Sequence, residues 1–202
     1  AIGKGTLAEL YFTAGDFNKC LAANEQSLRE LEQVFAGQIN SYTIEGSALR
    51  AAALVRSGKP EEALRVCDTM LARLKPNQRE VGKNSHFLRQ LQAKRAIAQF
   101  ECYLKQGDKK QLLGSLQDFD AFDSLLVDAG FGFERQSSRL ASYNRTRPVF
   151  EQAIRAHVHG GKFDDDPEIM RRAFYFSEQA RAVLLHQATQ EVKAKNIAGV
   201  PQ

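Results

Sequence analysis

Apolar residues recur at three- and four-residue intervals along nearly the whole chain and almost nowhere alternate as a half-buried strand would. The pattern predicts a first helix from about Gly5 to Ala14 and a second from Phe17 to about Phe35. Leu21, Leu28, Leu31 and Val34 should form the buried stripe of the second. A third helix is expected over Ile39 to Val55. A fourth runs from Pro60 to Leu74, with Pro60 at the first helical position and Glu61 and Glu62 at the positive end of the dipole. Pro76 and Asn77 stop it. Val81 to Lys105 and Asp108 to Ala129 pair next, Asp108 capping its helix with Gln111 as capping-box partner. Leu112, Leu116, Phe119, Phe122 and Leu126 make the buried stripe there. Gly130-Phe131-Gly132-Phe133 is the clearest break. Beyond it, Pro148 either kinks one long helix or starts a shorter one. The turn from Gly160 to Asp166 leads into Pro167 and a long helix to about Lys195. Its inner face is expected at Ile169, Ala173, Phe176, Ala180, Val183 and Leu184.

A short signature punctuates these helices: Gly15-Asp16-Phe17, Gly58-Lys59-Pro60, Gly107-Asp108 and, more loosely, Gly161-Lys162-Phe163. Small residues follow or precede it where two helices must cross closely, with a bulky neighbour filling the gap. Leu7, Ala8, Tyr11 and Cys20 carry this in the first unit, Ala51, Leu54 and Ala63 in the second, and Phe100, Tyr103 and Leu112 in the third. In these positions the chain resembles the tetratricopeptide repeat (TPR), although Leu112 is large where alanine is usual. The four glycines stand 43, 49 and 54 residues apart, against about 34 for the standard unit. The resemblance implies an all-α, right-handed superhelical solenoid of antiparallel helical hairpins. It would have about eight helices in longer than standard repeats, as one array over residues 1–202 with hairpins near 3–37, 39–75, 81–129 and 135–196.

In such arrays the first helix of each pair lines a concave groove. The resemblance places Glu9, Phe12, Thr13, Glu45, Arg56, Lys94, Glu101, Lys105, Glu151, Arg155 and His159 toward it, with a protein or peptide as the partner. The family's chaperone-tail clamp uses lysines and asparagines. The matching places here hold Gly5, Glu9, Ala52, Ile97 and Glu101, whose two carboxylates would repel an acidic tail. The bland alternative is that these charges form only a solvated helix face.

Composition narrows the rest. At 202 residues and 43% hydrophobic the chain can bury a real core, and a net charge of +4 falls short of a dedicated nucleic-acid binder. Arg135, Arg139, Arg145, Arg147 and Arg155 nevertheless cluster around Tyr143. Arginines with an interleaved aromatic can hold phosphates or stack on a base, so a nucleic-acid-binding helical repeat is the alternative function. Against it stands a helix face pairing with the acidic stretch of Asp118, Asp120, Asp123, Asp128 and Glu134. The four aspartates lack the loop glycine and ligand spacing of a calcium loop and are expected on the wet side of the third hairpin. His157 and His159 fall on different helix faces, and His86 and His186 have no partner in sequence. Cys20, Cys67 and Cys102 form no CxxC pair and read as reduced, buried thiols of a cytoplasmic protein. No cofactor, metal site, catalytic motif or membrane segment is expected, and the chain reads as non-catalytic.

The stretch Arg171 to Leu185, reading RRAFYFSEQARAVLL, and the tail Ala198-Gly199-Val200-Pro201 resemble the segment just before a CHAT domain. That family joins tetratricopeptide-like arrays to a caspase-like cysteine protease fold. Arg171, Glu178 and Arg181 match in kind, whereas Val183 and His186 are less typical. The resemblance implies a recognition or regulatory arm in contact with a C-terminal CHAT domain whose catalytic His and Cys lie beyond Gln202. A start at Ala1 and an end in mid-pattern agree with a piece of a longer protein.

Overall fold

The computed structural model describes residues 2–74, 85–128 and 136–198. Among the described residues there are eight α-helices and no strand: α1 Ile2–Thr13, α2 Phe17–Val34, α3 Ser41–Arg56, α4 Pro60–Arg73, α5 Ser85–Gln106, α6 Lys109–Asp128, α7 Gln136–Gly160 and α8 Pro167–Ala198. The chain divides into two compact units, residues 1–129 and 130–202. The expected stop at Pro76-Asn77 and the Gly130 to Phe133 break lie outside the described residues.

In the first unit α1 packs on α2, α3 on α4 and α5 on α6. Alternate helices also touch, α1 with α3 and α3 with α5. Links of two or three residues between helices packed along their lengths leave each pair antiparallel. The glycine signature makes these reversals. Gly15 (φ 78°), Gly58 (φ 73°) and Gly107 (φ 71°) all adopt the left-handed conformation that side chains resist. After α1, the Asp16 N–H donates to Tyr11 O and the Gly15 N–H to Phe12 O. After α3, Lys59 and Gly58 repeat the arrangement on Leu54 O and Val55 O. The α2–α3 link uses the same closure with Gly37 N–H on Glu32 O, but there Ala36 holds the left-handed position at φ 48°. Gly161 departs from the pattern. Its backbone is not left-handed, so it makes no such reversal.

Caps fix the starts. Asp16 Oδ1 accepts from Lys19 N–H at 3.1 Å, and Asn40 and Thr43 form a reciprocal capping box at the head of α3. Asp108 Oδ1 accepts from Lys110 N–H at 2.9 Å, while Gln111 faces a surface pocket. Small residues then let the helices close: Ala8, Cys20 and Ala53 form one buried cluster, and Ala48, Ala51, Ala63, Cys67 and Ala98 sit among Ile44, Leu54, Met70 and Leu91 in another. The predicted α6 stripe is buried at all five positions.

The α2 stripe is a correction. Its buried residues are Cys20, Asn24, Ser27 and Leu31. Leu21 and Leu28 are only half-buried and Val34 is 71% exposed. Polar side chains fill this face because α3 supplies a partner: Asn24 Nδ2 donates to Gly46 O at 3.0 Å. The aspartates of α6 are a second correction. Asp118 and Asp123 are buried, not wet, and Asp118 is tied to α5 by Arg95 and Gln92.

The second unit packs α7 on α8. Ala153, Ala156 and Ala173 let the helices approach around fully buried Phe176, whose ring lies 5.9 Å from Phe150 and 5.3 Å from His157. α7 runs through Pro148, which lies on the exposed face, where water can serve the carbonyl that the proline leaves without a donor. On α8, Ala173 and Phe176 are buried and Ile169 and Ala180 half-buried; Val183 and Leu184 are outside the described side chains.

Candidate functional site

Periodicity brings three helix faces to one place in the first unit. Thr6 and Glu9 share a face of α1, Asn24 and Ser27 a face of α2, and Tyr42, Glu45 and Gly46 a face of α3. Together they line a pocket of about 130 Å³. Gly5 and Gly46 are part of its lining; at Gly46 the missing Cβ lets α2 close on α3, since it would meet Leu28 Cδ2 at 2.8 Å. The lining holds two carboxylates and no cationic side chain. The one basic side chain in α1, Lys4, is engaged with Glu30. Asn24 is 1% exposed. Its Nδ2 is committed to Gly46 O, so the amide orientation is fixed, and its Oδ1 accepts no hydrogen bond among the described residues. Glu9 and Glu45 form no ion pair among the described residues.

The remaining groove candidates of this unit fall elsewhere. Phe12 stands edge-on to Phe17 with ring centroids 5.6 Å apart, and Arg56 lies 5.7 Å over the Phe17 ring, so these two gather at the α1–α2 turn. Thr13 is exposed and donates to Glu9 O at 2.9 Å. Lys105 is a strap on the next turn: its Nζ donates to Gly58 O at 2.9 Å and pairs with Glu61 at 3.6 Å. Lys94 is half-buried near Cys67, and burial pulls its ammonium below the ordinary lysine range. Glu101 is half-buried on α5.

Glu151, Arg155 and His159 belong to α7 in the second unit. Glu151 pairs with Arg147 at 3.0 Å, and Arg155 donates to Gln152 at 2.9 Å. Burial, then Lys162 and Arg155, lowers the His159 pKa. His157 is buried with Nδ1 2.8 Å from Ala153 O, apart from the half-buried His159. Of the basic cluster, Arg135 lies outside the described residues, as do the side chains of Arg139, Tyr143 and Arg145; Arg147 is engaged by Glu151.

The thiols are poor nucleophiles. All three cysteines are free and buried, and burial pushes Cys67 up to about 12 and Cys102 up to about 11, with Cys20 raised for the same reason. Among the described residues no three His, Cys, Asp or Glu side chains converge as a metal's ligands would, and no helix is long and apolar enough to cross a membrane. No family model, curated protein or solved structure matches the chain. Glu9 and Glu45 were legible in the sequence as first-helix positions. Asn24 was not, because a lone asparagine in a helical pattern reads as surface.

Proposed function

We propose that this chain is a non-catalytic, tetratricopeptide-like module that binds a protein or peptide. The observation that carries the proposal is the α1–α2–α3 pocket, where alternate helices α1 and α3 both contribute polar side chains to one concave site. Packing of α1 on α3 and of α3 on α5 supports a superhelical stack of hairpins. Three buried free cysteines accord with a reducing, cytoplasmic setting. A display library of random peptides panned against the chain tests the reading. It should retain peptides that a Glu9→Lys/Glu45→Lys variant releases; equal retention by the variant overturns it.

The same proposal makes the module the recognition arm of a CHAT-type caspase-like protease, reached through α8. Support comes from the RRAFYFSEQARAVLL stretch on that helix. Met170 and Phe174 are 48% and 67% exposed one turn apart and give it an apolar face. Arg171–Glu168 and Arg181–Glu178 pairs stiffen it. Protease activity of a parent protein measured with and without this region checks the linkage: changed regulation supports it, and unchanged regulation removes it.

A further inference from the structure

We propose that the groove where α4, α5 and α6 meet binds an uncharged carboxamide, the main-chain peptide group or the Asn or Gln side chain of a partner. This site is separate from the α1–α2–α3 pocket and does not depend on what that pocket binds.

The groove encloses about 390 Å³ and is lined by Leu64 and Asp68 from α4, Arg95 and Gln99 from α5, and Leu113 and Gly114 from α6. Gln99 is only 7% exposed, yet its side-chain amide makes no hydrogen bond among the described residues. Its Oε1 is shut in. Its Nε2 is not, so that end of the amide meets the groove as a donor without an acceptor. Buried polar groups are ordinarily paired, and a ligand oxygen brought to Nε2 supplies the missing partner.

Arg95 and Asp68 offer matching groups of their own, independent of Gln99. Arg95 spends Nε on Asp68 and Nη1 on Asp118, and its Nη2 has no partner among the described residues. Asp68 accepts through Oδ1, which leaves Oδ2 over on a side chain 50% exposed. Unused donors and an unused acceptor thus stand together, and a carboxamide answers both with its C=O and its N–H. Turning the Gln99 amide over would exchange donor for acceptor at the groove, and a carboxamide carries the partner for either. Charge selects against ions. Arg95 and Lys110, a further lining residue, offset Asp68 and the Asp118 that Arg95 also holds, so the groove favours neither an acid nor a base. Leu64 and the exposed Leu113 supply apolar wall for the ligand's carbon skeleton.

The test titrates the isotope-labelled full chain with butyramide, butyrate, butylguanidinium and N-acetyl-dialanine methylamide, following the Leu113 and Gly114 backbone amide signals. Butyramide, the dialanine amide or both should move these signals, and butyrate and butylguanidinium should not. Movement by butyramide alone upholds the site with a side-chain amide as its ligand; movement by the dialanine amide alone upholds it with a main-chain group. Gln99→Leu and Gln99→Met keep the bulk and remove both polar atoms. Each should unfold in urea no more readily than the parent chain and should lose the shifts. Butyrate or butylguanidinium acting as strongly as the amides, shifts retained by the folded variants, or no shift with either amide overturns the proposal. Shifts at Gly5 and Gly46 instead would also overturn it while leaving the α1–α2–α3 pocket standing as a binding site.

Discussion

Arg95→Met is the substitution whose consequence the first unit fixes most tightly. Arg95 on α5 donates from Nε to Asp68 of α4 and from Nη1 to Asp118 of α6, both at 2.6 Å. Asp118 also accepts from Gln92 Nε2 at 2.7 Å, and its side chain is 8% exposed against 28% for Arg95. Methionine keeps the aliphatic stem and deletes the charge, so Asp118 is left as a buried carboxylate with one donor. Breaking a buried pair from one side costs about 3–5 kcal/mol. The partial exposure of Arg95 and the surviving Gln92 bond bring the expectation to about 2–3 kcal/mol near neutral pH. Burial already raises the Asp118 pKa above its ordinary 3.8 even with Arg95 opposing it, and losing Arg95 raises it further. The folded state then holds the proton more tightly than the unfolded chain. Stability from that proton is present below the unfolded value and is lost as pH rises through the folded one. The penalty of the variant should therefore shrink as pH falls from about 7 to about 4.5. Urea unfolding followed by far-ultraviolet circular dichroism measures it, with hydrogen exchange at α5 and α6 assigning the change to the first unit. Adding Asp118→Leu should recover most of the loss by removing the orphaned charge. A loss below about 0.5 kcal/mol, or one equal at both pH values, refutes the reasoning.

Three smaller predictions follow from the turns and thiols. Ala36→Gly removes a left-handed penalty of about 1–2 kcal/mol against an unfolded-state entropy cost of about 0.4–1 kcal/mol, so it should stabilise the first unit by about 0.5–1 kcal/mol in urea unfolding. Gly58→Ala forces a Cβ into φ 73° and should destabilise by about 1 kcal/mol, which a lowered thermal midpoint would report. Cys20, Cys67 and Cys102 should resist a thiol-reactive disulfide reagent in the native chain and react together on denaturation; rapid native labelling of Cys67 would contradict its burial.

Much of the fold was legible because it rests on local chemistry. Left-handed glycines at 15, 58 and 107 and the Asp108 cap act over a few residues, so sequence spacing is enough to find them. The α6 stripe was legible because all five of its positions are apolar. The α2 face was misread for the opposite reason. Asn24 and Ser27 look like surface residues until Gly46 of α3 comes within reach, and exposed Val34 looks like core until the helix ends beside it. Asp118 repeats the lesson, since its burial depends on Arg95, 23 residues away. The candidate site shows both sides: Glu9 and Glu45 follow from helix position, whereas the orphan Oδ1 of Asn24 exists only once three helices meet.

The central claim is that the first unit captures a peptide through its α1–α2–α3 pocket. The most direct measurement is an amide chemical-shift map of the full chain saturated with a display-selected peptide. The account predicts the largest changes on α1, α2 and α3 around Glu9, Asn24 and Gly46, lost in the Glu9→Lys/Glu45→Lys variant. Changes confined to α5, α6 or the second unit, and retained by that variant, would contradict it.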